Sequence, residues 1–114
     1  MLRDIPIFHK TYELMLWVYV VVNRFPKKQR FVLGQEIEKT AIKFLKLIIK
    51  TNYTKEKVLP LSEASIEINT FLILIRFSKD LHFLSKRQYE FAASQTNEIS
   101  KMLGGWLKYE ENKN

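Results

Sequence analysis

Residues 39–50 read KTAIKFLKLIIK, with lysines at Lys39, Lys43, Lys46 and Lys50 and almost every residue between them apolar. At about 100° per residue, those four lysines fall within one narrow stripe of an α-helix. Ile37, Ala41, Ile42, Phe44, Leu45, Leu47, Ile48 and Ile49 cover most of the remaining circumference. A helix in a small monomeric bundle needs an apolar face only about 100° wide or a little more. This one is about twice as wide.

The flanking sequence extends the helical reading in both directions. A first helix is expected from about Ile7 to Asn23, with Pro6 suited to a first-turn position. Phe25 before Pro26 is pushed out of the α region and ends it. The second helix begins between Lys27 and Phe31 and continues to about Thr51. NYTKEKVLP (52–60) connects it to a third, from about Leu61 to Phe83. LSKRQY (84–89) is the clearest start signal. Ser85 is the N-cap, Gln88 completes a capping box, and Leu84 and Tyr89 flank it as a hydrophobic staple. The fourth helix runs to about Tyr109, before a polar tail. The expectation is an all-α chain: one domain over residues 1–114, an up-down-up-down four-helix bundle.

Composition agrees. Three Gly and three Pro in 114 residues leave long stretches without breakers. The absence of cysteine removes disulfides, thiolate nucleophiles and Cys-based zinc sites. The N-terminal MLRDIPIFHK carries charges where a signal peptide needs an apolar run. The longest apolar run, MLWVYVVV (15–22), is far short of the ~20 residues of a membrane span. The reading is a soluble, cytoplasmic protein with no membrane partner. A net charge of +7 makes nucleic acid the first candidate partner, ahead of an anionic membrane surface or an acidic protein.

Apolar excess recurs. MLWVYVVV leaves the first helix no polar side for two turns, and FLILIRF (71–77) does the same in the third. A 114-residue bundle cannot bury three such helices within itself, so the surplus should meet other copies of the chain. Trp17, Tyr19, Phe71 and Ile75 are therefore placed in the core or an oligomer interface. Gly104 and Gly105 precede Trp106 inside the fourth helix, where each glycine costs about 1 kcal/mol relative to alanine. That points to a close helix crossing or the last turn, with Trp106 in the core or an interface.

No catalytic or metal-ligating constellation emerges. His9 and His82 belong to no metal-binding spacing. Glu63 and Glu67, four apart, lack an accompanying Glu-x-x-His, and acids in a first turn complement the helix dipole without further explanation. Gly104–Gly105 forms no phosphate loop. No cofactor, small-molecule substrate or enzyme activity is expected. Arg76, set into an apolar run, calls for an acidic partner, either Asp80 at i+4 or an Asp or Glu on a neighbouring chain.

The lysine stripe has two readings. One is a solvated face that keeps an apolar helix soluble, as charge runs commonly do. The other is a phosphate-binding ridge, since no acidic residue interrupts it between Lys39 and Lys50. Lys27, Lys28 and Arg30, and Lys86 and Arg87, would extend such a surface.

Tyr19, Phe25-Pro26-Lys27, Phe31, Leu33-Gly34 and Gln35 stand where four-helix proteins related to the 23S rRNA intervening-sequence protein carry recurring elements. Within that superfamily, LILIRFSKDLHFLSKRQYEFA and ISKMLGGWLKY are most similar to the accessory variability determinants of diversity-generating retroelements. The chain resembles them over nearly its full length. The Asn-Ile-Ala-Glu-Gly segment common in the intervening-sequence branch is replaced here by KTNYTKEK (50–57). The resemblance implies a barrel-like homopentamer with a basic surface. It further implies a non-catalytic partner of a reverse transcriptase and of template RNA or DNA, required for mutagenic cDNA synthesis and retrohoming. An intervening-sequence-type bundle protein, and a structural oligomer with no nucleic-acid role, stand as alternatives.

Overall fold

Pro6 opens the first helix. Its missing N–H is one that a first turn leaves unpaired in any case. In the computed structural model, which describes residues 5–113, α1 spans Pro6–Val22. Phe25 is buried beyond its end, and Pro26 precedes a short helix, α2 (Lys27–Gln29). A π-helical segment over Arg30–Gly34 follows and runs without a break into α3 (Gln35–Tyr53). α4 covers Val58–Asp80 and α5 covers Lys86–Glu111. With α2, the π segment and α3 counted as one continuous helix, the expected four helices are present.

Local chemistry explains the boundaries. The Lys57 ammonium donates to the carbonyls of Thr51 and Thr54, both at 2.7 Å, and so caps the end of α3. Asp80 ends α4 because His82 takes a left-handed backbone, φ 68°. The Phe83 N–H then bonds the Ser78 carbonyl and the His82 N–H bonds that of Lys79. This is the closure that a glycine most often supplies. At α5 the expected capping box forms. The Gln88 N–H donates to Ser85 Oγ at 3.0 Å, and the Ser85 N–H to Gln88 Oε1 at 2.8 Å.

α3 packs on α4, α4 on α5, and α1 on both α3 and α5. The helices thus form a square in cross-section, with α1 and α4 at opposite corners. The bundle measures 49 × 22 × 21 Å. Its core stacks Val18, Ile37, Phe44, Ile48, Leu61, Phe71, Ile75 and Ile99 along the axis. Phe25 and Phe83 close one end, ring centroids 5.7 Å apart. Buried Thr51 and Ser78 satisfy their hydroxyls on carbonyls one turn back, at 2.7 and 2.8 Å. α4 is long and apolar enough, by length and composition, to cross a membrane. Part of that apolar character is core: Leu61, Ala64, Ile68, Phe71 and Ile75 are buried among the other helices.

The apolar surplus does reach the surface, though not from all three helices. Tyr12, Leu16, Tyr19 and Val20 are exposed on α1. Leu59, Ile66, Ile73 and Phe77 are exposed on α4. α3 departs from the expectation: Ile42, Leu45 and Ile49 are half-buried, because α1 and α4 flank this helix on two sides. Phe71 and Ile75 are core, and Trp17 and Trp106 are half-buried against it. Within this chain the glycine expectation is corrected. Gly104 and Gly105 are exposed, a Cβ at either would meet nothing within 4 Å, and α5 continues past them to Glu111. The close approach is instead at Gly34, where an added Cβ would lie 2.6 Å from Val22 Cγ1.

Candidate nucleic-acid interface

Because α3 turns its apolar residues toward α1 and α4, the spacing of its lysines leaves them outside. Lys39, Lys43, Lys46 and Lys50 are all exposed. The ridge is uninterrupted in sequence but not in space. Glu67 of α4 sits beside it, 3.4 Å from the Lys43 ammonium. Lys43 is therefore partly neutralised, by a carboxylate that is itself half-buried. Lys39, Lys46 and Lys50 form no ion pair among the described residues.

The fold also unites groups that are far apart in sequence. α1 ends where α2 begins, and α4 ends where α5 begins. The Phe25–Phe83 contact joins those two turns at one end of the bundle. Lys27 and Lys28 on one turn and Lys86 and Arg87 on the other therefore share that end of the bundle, and all four are exposed. Arg24 and Lys79 add to the same end. The Lys79 ammonium lies 4.8 Å from the Tyr89 ring centroid, over its face, and 3.2 Å from Asp80. Arg30 differs from its neighbours: it is half-buried, and its guanidinium bonds Asn23 Oδ1 at 3.4 Å. Lys57 is engaged with the α3 carbonyls and belongs to the architecture.

Other singled-out residues have structural roles. Arg76 meets Asp80 at 3.9 Å, as its spacing implied, and both are exposed. His9 and His82 are exposed, and no group of three or more His, Asp or Glu able to hold a metal occurs among the described residues. The Glu98 carboxylate of α5 bonds the Lys10 ammonium of α1. That contact lowers the carboxyl's affinity for protons and raises the ammonium's.

The chain thus has a four-helix frame, two opposed apolar faces, and basic groups along one helix and at one end. The model of the bAvd-like family matches residues 6–110, which takes in all four helices almost entirely. The chain belongs to the bAvd-like family. No curated protein matches it. For this family member, the sequence could not reveal that the two basic turns share one end, since Lys27 and Lys86 are far apart along the chain. Nor could it reveal Glu67 beside Lys43.

Proposed function

We propose that the chain is a non-catalytic accessory protein of a diversity-generating retroelement. In this reading it assembles into a ring, a pentamer on the family resemblance, and binds both the reverse transcriptase and template RNA. It thereby supports mutagenic cDNA synthesis and retrohoming, while the polymerase chemistry stays with the reverse transcriptase. The observation that carries the nucleic-acid reading is the exposed row of Lys39, Lys46 and Lys50, free of acidic partners among the described residues. Family membership favours the retroelement setting.

Assembly is supported by the placement of the two apolar faces. An isologous dimer buries one self-complementary patch. Here two unlike patches lie at opposite corners, on α1 and on α4. Unlike patches that mate head to tail generate a ring when the rotation closes. A ring would repeat the lysine row around its circumference and give a single strand many phosphate contacts. Such binding is salt-dependent and largely blind to sequence.

The test is RNA binding measured at several salt concentrations for wild type and for Lys39→Glu with Lys46→Glu. Lys43 is avoided because a glutamate there would face Glu67. The double variant should bind more weakly and show a flatter salt dependence, by roughly 0.7 in log–log slope for each phosphate no longer held. Oligomeric mass and helical content should be unchanged. Equal affinity and equal slope would leave the lysines with a solvating role only.

A further inference from the structure

The π-helical segment does more than join α2 to α3. π-turns inside longer helices are rare and frequent at functional sites. Here the segment buries Leu33 and Gly34 and leaves Phe31, 63% exposed, standing outward. Beside Phe31 is a cleft of about 700 Å³ between the end of α1 and the start of α3. That volume lies within the usual range for small-ligand sites, about 300–1,000 Å³.

The walls are polar in a particular way. Arg24 and Arg30 bring two guanidinium groups, Gln35 an amide, and Tyr19 and Glu38 a phenol and a carboxyl. Arg30 Nε is buried and has no hydrogen-bond partner in the chain, which is a costly state for a donor. Glu38 makes no ion pair among the described residues, and burial pushes its carboxyl above the ordinary value. Burial and the nearby Glu38 together push the Tyr19 phenol up as well. The cleft therefore holds donors and an acceptor not consumed by the fold, next to an exposed aromatic ring.

This set matches one unstacked nucleotide. Single-stranded RNA is read by stacking splayed bases on aromatic rings and bonding their edges, while guanidinium groups take phosphate. We infer that the cleft binds a single nucleotide of single-stranded RNA, with its base on Phe31, its phosphate toward Arg24 and Arg30, and its edge toward Glu38 and Gln35. Glu38 selects bases that carry an exocyclic amino group. A carboxylate accepts from the amino groups of adenine, cytosine and guanine, whereas the one edge N–H of uracil lies between two carbonyl oxygens that repel the anion. The cleft adjoins the basic end formed by Lys27, Lys28, Lys86 and Arg87, so a strand held there would be held by phosphates on either side. The inference rests on the RNA-binding reading above and adds a base-contacting site to it.

The experiment compares binding of twelve-nucleotide oligo-rA, oligo-rC and oligo-rU by wild type, Phe31→Ala, Glu38→Gln and the Lys39→Glu/Lys46→Glu protein. Wild type should prefer oligo-rA and oligo-rC to oligo-rU. Phe31→Ala should weaken all three by roughly fivefold to a hundredfold, the range for removing one base–aromatic stack, with the salt slope retained. Glu38→Gln should bring oligo-rA and oligo-rC down toward oligo-rU. Wild-type binding that is indifferent to base and unmoved by Phe31→Ala would overturn the cleft and leave the lysine reading standing. Failure of wild type to bind any of the three would overturn both readings. A Phe31→Ala protein that changes oligomeric mass rather than RNA affinity would reassign the cleft to contact between copies.

Discussion

Gly34 lies hard against Val22: a Cβ at Gly34 would stand 2.6 Å from Val22 Cγ1 and 3.4 Å from the Gln29 carbonyl oxygen. Its backbone is ordinary right-handed helix, φ −59° and ψ −43°, so glycine is not required there for conformational freedom. It is required for space. The contact holds the end of α1 against the start of α3, which are also the walls of the Phe31 cleft.

Gly34→Ala is therefore expected to destabilise the protein. Overpacking costs about 1–3 kcal/mol, and the gain of alanine over glycine in a helix, about 1 kcal/mol, offsets only part of it. Val22 is buried and β-branched, so its side chain cannot easily rotate away. Combining Gly34→Ala with Val22→Ala should restore the room, and the two destabilisations should fail to add. Denaturant titration of the four proteins measures the coupling, and strict additivity would show that the contact is not what glycine serves.

Much of the fold was legible because it rests on local chemistry. Pro6, Pro26 and the Ser85–Gln88 pair mark helix ends through backbone constraints that act within four residues. The wide apolar faces on α1 and α4 were legible as well, since hydrophobic periodicity needs no tertiary information. The glycines were not. Gly34 and Gly104 both lie in helical stretches, and only the position of Val22 distinguishes a tight contact from open space. The π segment was hidden for a similar reason: its register depends on seating Leu33 and Gly34 inward while the chain leaves the turn at Pro26. Of the candidate site, the lysine row followed from spacing alone. The gathering of Lys27, Lys28, Lys86 and Arg87 required the bundle to bring two turns together.

Gly104 supplies the opposite test. It is exposed in mid-helix with no neighbour within the chain. Gly104→Ala should stabilise the fold by up to about 1 kcal/mol, through helix propensity alone. Thermal melts check this. A clear drop in stability, or a fall in oligomeric mass, would show that another copy packs onto that position.

Glu38 predicts a pH dependence with a definite sign. Burial raises its carboxyl above the ordinary value, so the folded state holds that proton more tightly than the unfolded chain. Stability from this group is greatest in acid. It falls as pH rises from the ordinary carboxylate value, about 4.3, through the raised one. Glu38→Gln keeps the shape and removes the charge. Its melting temperature should exceed that of wild type at neutral pH, and the difference should shrink toward zero below the ordinary carboxylate range. A difference that stays constant across the series would exclude ionisation of Glu38 as its cause.

The exposed face of α4 yields the most direct test of assembly. Leu59, Ile66 and Ile73 are spaced seven apart and are 64%, 64% and 66% exposed. Seven-residue spacing of apolar residues is the pattern by which one helix presents a seam to another. These three side chains contribute little to the interior, so changing them tests contact between copies rather than the fold. Ile66→Glu with Ile73→Glu should lower the sedimenting mass toward that of the single chain, with helical content preserved. Tyr12→Glu with Leu16→Glu, on the opposite corner, should do the same if the two faces mate head to tail. Mixing the two double variants should then recover one intact interface, α1 of one protein against α4 of the other, and yield a species of twice the single-chain mass. An isologous interface on α4 would behave differently: the α1 variant would keep its full mass, and the mixture would gain nothing. Unchanged mass for both double variants at micromolar concentration would remove the apolar faces as the basis of assembly.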